Sequence, residues 1–199
     1  MTNSQLKTLK GALLVLLTSI GTLAFFACSS GVPTTQFANP SFDFSYLQRV
    51  AVIPFANLSS DSQAGERATR LIITELLASG AVDVVEPGEV QAALRNLGSS
   101  RMTAPSAEEA TGLGEALGVQ GLVIGTVAQS EVIRIGSALR PVVTLDAQML
   151  ETDTGAIVWA ATHTEKGSTF GARLLGTGGE PLAETTRRCI QKVLATLLD

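Results

Sequence analysis

The segment Val50-Ala51-Val52-Ile53-Pro54-Phe55 is apolar at every position, and that continuity constrains the fold more than any other feature. A strand with one face in water alternates apolar and polar residues, whereas an unbroken apolar run belongs to a strand covered on both faces. Covering both faces requires helices on either side of a sheet, so the run predicts an α/β domain of two or three layers. Pro54 has no amide to donate, so the strand must end there or lie at an edge.

The segments that follow supply those helices. Asn57 to Ser62 has turn chemistry, with Asp61 or Ser62 as a helix cap. A helix is expected from about Gln63 to Ser79, with Ala68, Ile72 and Leu76 on its buried face and Gly80 stopping it. A short strand over Val82–Val85 precedes a helix that opens at Pro87, carries Val90, Leu94 and Leu97, and closes at Gly98. Ser106-Ala107-Glu108-Glu109 has the spacing of a capping box, and Ala110, Leu113 and Leu117 form the stripe of a third helix.

Three strands come next. Leu122, Val123, Ile124 and Val127 mark a buried one. Val143, Leu145, Ala147 and Met149 alternate with Thr144, Asp146 and Gln148, which predicts a strand wet on one face. Asp153-Thr154-Gly155 turns the chain and Ile157-Val158-Trp159 returns it antiparallel. Gly167 to Gly179 reads as a glycine-rich loop, and Pro181 to Leu198 as the last helix. The βαβααβββα order implies a mixed β-sheet with helices packed on it. Trp159 is expected to fill the core between sheet and helix.

The start of the chain carries a different signal. Lys7 and Lys10 precede an apolar run, Gly11 to Phe26, which ends at Ala27-Cys28. A basic start, a short apolar run and a break after a small residue describe a secretory signal sequence. The run is shorter than the about 20 residues a transmembrane helix needs, and Phe25 stands where ordinary cleavage wants a small residue. With its cysteine at the break, the stretch resembles a bacterial lipoprotein signal peptide over residues 1–27. The resemblance implies cleavage before Cys28, acylation of that residue by a diacylglycerol and a further fatty chain such as palmitate, and a periplasm-facing anchor. Ser29 rather than Asp after the cysteine implies the outer membrane. Residues 28–48, with Gly31, Pro33 and Pro40, are expected as a tether, and 49–199 as a single domain. Phe37, Phe42, Phe44 and Tyr46 are unusually aromatic for a free linker, and either the domain or a partner could receive them.

A second resemblance lies in the domain. Pro54-Phe55-Ala56-Asn57-Leu58-Ser59, then Leu117-Gly118-Val119 leading into Leu122–Val127, then Asp153-Thr154-Gly155 with Ile157-Val158-Trp159, resemble the landmarks of the TolB amino-terminal-like domain. The same arrangement is found in CsgG and LpoB. It implies a periplasmic α/β domain serving as an accessory or adaptor in envelope assembly or secretion. A subunit of a CsgG-like export pore and a small-ligand binding module are the alternatives. A pore would need membrane hairpins, for which 131–140 and 167–179 are the only candidate inserts, and neither shows two alternating segments of about 9–11 residues.

No catalytic set is expected. His163 is the only histidine, and no C-x-x-C, H-E-x-x-H or G-x-S-x-G occurs. The glycines from Gly112 to Gly118 sit in a capped helix rather than after a strand, which argues against a dinucleotide loop. No cofactor and no metal are therefore expected. The full chain has 14 basic and 18 acidic residues; removing Lys7 and Lys10 with the signal leaves 12 basic residues and a net charge of −6. No basic tract points to nucleic acid. Arg187-Arg188 reads as a solvated helix face. Cys189, without an intrachain partner once Cys28 is acylated, falls among apolar residues at helical spacing and reads as a buried thiol. Phe170, Leu174 and Leu175 place large apolar groups among glycines, which predicts an interaction loop that orders against an envelope partner or a second copy.

Overall fold

The structure is a computed structural model that describes residues 33–98, 104–136, 138–167 and 180–198. Its elements are β1 (Thr35–Ala38), a 3-10 turn (Phe44–Tyr46), β2 (Arg49–Val52), β3 (Ala56–Asn57), α1 (Ala64–Ser79), β4 (Asp83–Val84), α2 (Pro87–Asn96), α3 (Ala107–Leu117), β5 (Gly121–Ile135), β6 (Ala138–Glu151), β7 (Ile157–Lys166) and α4 (Leu182–Leu198). The seven strands form one mixed sheet in the order β1-β7-β6-β5-β2-β4, with β3 also paired to β5. β2 runs parallel to β4 and β5, while β5, β6, β7 and β1 run antiparallel to one another in turn. The expected mixed α/β architecture is the one observed.

The continuous apolar run is explained by helices on both faces. Val50 and Val52 of β2 and Val123 of β5 join Ala68, Ile72, Leu76, Ile190 and Val193 in a core under α1 and α4. Ala51, Ile53, Leu122 and Ile124 point the other way, into a second core with Val90, Leu94, Ala110 and Leu113 of α2 and α3. Toward β6 and β7 the sheet has, among the described residues, a helix on one face only. There Leu145, Ala147, Met149, Trp159 and Ala161 pack into the first core, while Thr144, Asp146 and Gln148 are partly exposed on the opposite face. The alternation read in the sequence is thus a sheet changing from three layers to two.

Local signals act as expected. β2 stops before Pro54, and the next amide, that of Phe55, donates to Thr69 Oγ1 at 2.9 Å. The capping box is complete: Ser106 Oγ accepts from the Glu109 amide and Glu109 Oε2 from that of Ser106. Gly155 takes φ 70°, and a Cβ there would lie 2.5 Å from Ala107 Cα, so the turn both needs a left-handed residue and has no room for a side chain. At α1 the cap differs from expectation. Gln63 is the N-cap residue without a side-chain bond, and Asp61 serves the turn before it by accepting from the Gln63 amide at 3.1 Å.

The expected tether is corrected within the described residues. Thr35–Ala38 forms an edge strand on β7, from Thr35↔Thr162 to Ala38↔Trp159. Phe42 and Phe44, in edge-to-face contact at 5.1 Å, pack on the first core, and Leu47 is buried. Phe42 and Phe44 thus dock on the domain itself, whereas the Phe37 side chain on β1 stays exposed and exposed Tyr46 reaches Asp153 through its hydroxyl. β1 itself is held by the unpaired edge that β7 offers. A second difference lies in β5 and β6. Their pairing continues from Val132↔Pro141 to Ile135↔Ala138, past the last β6–β7 pair at Val142↔Lys166, as a two-stranded ribbon.

Candidate functional site

Along β7 the side chains facing α4 change from apolar to ionic: Trp159, Ala161, His163, Glu165. Trp159 is fully buried and its Nε1–H donates to Thr196 Oγ1 at 3.1 Å near the C-terminal end of α4. At the other end of the helix, Arg188 and Lys192 stand one turn apart on the ridge above Glu165. Lys192 Nζ lies 2.6 Å from Glu165 Oε2 and Arg188 Nη2 lies 3.2 Å from Oε1. Arg188 also donates through Nη1 to Glu180 at 2.7 Å, and Thr185 Oγ1 donates to the same carboxylate at 3.1 Å. His163 is 2% exposed, with Nε2 3.0 Å from Glu165 and Nδ1 3.0 Å from Thr34 Oγ1.

Burial alone would raise the Glu165 carboxyl. The bonds from Lys192 and His163 and the charge of Arg188 outweigh it and hold the group below the usual glutamate value. Burial likewise disfavours the Arg188 charge, and Glu180 and Glu165 more than restore it. Beside them, the thiol of Cys189 is pushed up to about 12 by burial, and it faces the carbonyls of Val143 and His163. This is the inert thiol expected from its spacing. His163 has both ring nitrogens engaged inside the domain.

What the cluster does mechanically follows from its place in the chain. Glu165 is two residues before 167, Glu180 follows 179, and Arg188 bridges the two carboxylates. The described residues on either side of 168–179 are therefore tied together by one guanidinium. Phe170, Leu174 and Leu175, assigned to an interaction loop, lie outside the described residues, as does Cys28. No direct signal for this base stood in the sequence, since Arg188 read as a solvated face. The indirect signal was the two-residue period carrying His163 and Glu165 inward, combined with Arg188 and Lys192 four residues apart.

A second polar group stands where β3 leads toward α1. Asn57 Nδ2 donates to the Asp61 carbonyl at 2.7 Å, and Ser59 Oγ donates to Asn57 Oδ1 at 2.7 Å. Arg67 pairs with Asp61, which also accepts from Ser130 Oγ at 3.2 Å. The Arg67 bond is the main reason the Asp61 carboxyl titrates below its usual range, burial opposing it. Asn57 and Ser59 thus fix the strand-to-helix turn through local bonds, as expected of them. A cleft of about 400 Å³ opens at the other end of the sheet between Phe44, Leu76, Val82, Met149 and Leu197. Among the described residues no three His, Cys, Asp or Glu side chains stand together as a metal set. No helix among them is long and apolar enough to cross a membrane. The glycines of the sequence Gly112–Gly118 fall within and at the end of α3, where Gly114 packs against Thr152.

These features define a class: a one-sheet α/β domain, three layers thick on one side, whose ordered polar groups brace the chain. No family model and no curated protein matches the chain. Solved structures do share the fold. A point variant of the PelC dodecamer from Paraburkholderia phytofirmans aligns with TM-score 0.59 and 23% identity over 83% of this chain and 98% of that one. The hypothetical protein CT253 from Chlamydia trachomatis aligns with TM-score 0.55 and 10% identity over 76% and 96%. Lipoprotein GNA1162 from Neisseria meningitidis aligns with TM-score 0.52 and 15% identity over 60% and 82%.

Proposed function

We propose that the chain is a non-enzymatic, lipid-anchored envelope protein whose domain acts as an accessory or adaptor in envelope assembly or secretion, of the TolB amino-terminal-like and CsgG-like kind. The observation that carries this is the leader ending at Cys28, only six positions before Thr34 enters the domain. A lipobox-like leader joined directly to a folded body is the layout of a protein held at a membrane surface. The fold shared with GNA1162, a lipoprotein, and with PelC is in keeping with it. Phe170, Leu174 and Leu175, which lie in sequence between Glu165 and Glu180, are the proposed partner contact.

Oligomerisation is favoured by one observation, that the PelC structures sharing the fold are dodecamers. A pore formed by the β5–β6 ribbon is not. Beyond the sheet it adds Val132–Ile135 and 138–141, well short of the about 9–11 residues per strand that cross a bilayer.

Two measurements test the proposal. Cys28→Ser should abolish fatty-acid labelling and release the protein from membranes; unchanged labelling would remove the anchor. Phe170→Ser with Leu174→Ser should leave thermal unfolding nearly unchanged while weakening co-purification of the crosslinked partner. Ready unfolding with the partner still bound would return both residues to the core.

A further inference from the structure

We infer that the tip of the β5–β6 ribbon is a bilayer-contacting element, seated in the lipid leaflet that holds the anchor; this rests on the lipid-anchored reading of Cys28. The inference comes from where the ribbon stands relative to the chain's entry into the fold. Thr34 enters the domain level with His163, and His163 is paired with Leu145 of β6. From Leu145 the strand continues to Ala138 at the tip, a further rise of about 23 Å, two strands or about 10 Å to one side of β1. The six steps from Cys28 to Thr34 reach at most about 21 Å when extended. An acylated Cys28 lies at the bilayer surface, so that surface passes within this reach of Thr34. The anchor cannot hold the membrane far above the tip.

A short leash leaves two ways to lie: end-on, with the ribbon toward lipid, or side-on. Side-on placement would press polar surface against lipid. The open sheet face carries Thr144, Asp146 and Gln148 beside one exposed aromatic, Phe37, and the outer side of α1 carries the Arg70–Glu66 pair. The ribbon end differs. Val132, Ile135 and Leu139 are 50%, 53% and 54% exposed, apolar surface that none of the described residues covers.

Register also selects lipid over a second copy of the chain. Arg134 pairs with Leu139, so Val132, Arg134 and Leu139 share one face of the ribbon, while Ile135 lies on the other. A flat interface with another protein surface covers one face and leaves the other wet. Entry into a leaflet covers both. Arg134, exposed on the face it shares with Val132 and Leu139, stands just behind the tip, where a long cationic side chain reaches phosphate headgroups.

The test is site-specific fluorescence on the acylated mature protein. Ile135→Cys is labelled with an NBD dye; Cys189, fully buried, does not compete. The protein is reconstituted in phosphatidylethanolamine–phosphatidylglycerol vesicles whose acyl chains carry doxyl quenchers. Glu115→Cys, exposed at the far end of the sheet, is the control, and Leu139→Cys is the second tip position should Ile135→Cys fold poorly. Quenching several-fold stronger at the tip than at position 115 is expected. Equally weak quenching, with mass spectrometry showing acyl groups on Cys28, would overturn the inference and leave the anchor standing. Absence of those acyl groups would overturn both. A blue shift at position 135 in vesicle-free Cys28→Ser protein that grows with concentration would give the tip to a second copy and also overturn it.

Discussion

Glu165→Gln removes one charge from the ionic base of α4 while keeping the side chain's size and one acceptor oxygen. Breaking a buried pair costs about 3–5 kcal/mol when a charge is left stranded, and an exposed pair contributes under about 1 kcal/mol. The cluster lies between these limits. The Glu165 side chain is 10% exposed, but Lys192 is 44% exposed and can regain water. Arg188 keeps Glu180 at 2.7 Å, and His163 Nε2 can still bond the amide. A loss of about 2 kcal/mol at pH 7 is expected, or about 4–8 °C in Tm for a domain of this size. The pH dependence is the sharper readout. The folded Glu165 carboxyl is held below its ordinary value of 4.5 by Lys192, His163 and Arg188. Its contribution is therefore fully present above that value and is lost as pH falls through the folded pKa. Calorimetric Tm differences between the wild type and Glu165→Gln, measured at intervals from pH 7 to pH 3, should shrink steadily below about pH 4.5. Titration of other groups cancels in the comparison. A difference that is the same at pH 3 and pH 7 would refute the electrostatic account, as would no difference at pH 7.

Trp159→Ala should cost about 3–5 kcal/mol in urea unfolding, because the ring is fully buried between β7 and α4. Thr196→Val, which removes the acceptor of Trp159 Nε1 together with the Thr196 hydroxyl's own bond to the Val193 carbonyl, should cost about 1–3 kcal/mol in the same assay. Gly125→Ala would drive a Cβ into both Phe55 Cε1 and the Asp146 carbonyl oxygen, so about 1–3 kcal/mol or more should be lost. Phe55→Leu in that background should recover only part, since the carbonyl belongs to the neighbouring strand and cannot yield.

What was legible in the sequence was whatever depends on neighbours in the chain. The capping box at Ser106, Pro87 opening α2, the turn at Gly155 and the alternation from Val143 to Met149 are local or periodic, and each appears as expected. What escaped depends on distant pairing. Thr35–Ala38 has no apolar periodicity, and all four residues are exposed; it is a strand only because β7 has a free edge. Arg188 looked like a solvated residue beside Arg187, yet it bridges Glu165 and Glu180, a relation set by packing α4 on β7. The ribbon past Ser130 lacked a clear signal because Val132 to Arg140 sets an arginine among apolar residues on each face, Arg134 on one and Arg140 on the other. Such a pattern resembles a loop unless the partner strand is known.

The docking of residues 35–47 bears on the proposed anchoring through Cys28. With everything to Gln48 free, Arg49 could stand about 70 Å from Cys28, and the domain could search a wide volume for a partner. With β1 in the sheet, the leash shrinks to the six steps between Cys28 and Thr34. Side chains of β1 contribute little, so its hold rests on backbone pairing with β7, on Thr34 meeting His163, and on Phe42, Phe44 and Leu47 closing over the core. The last three are decisive, since a four-residue edge strand with exposed side chains is marginal by itself. They act at the far end of the strand from Cys28, so any pull from the membrane must first unzip β1 before it reaches the aromatic lock. On the proposed reading of Cys28 as the anchor, the domain works close against its own leaflet, and a partner must come to that surface.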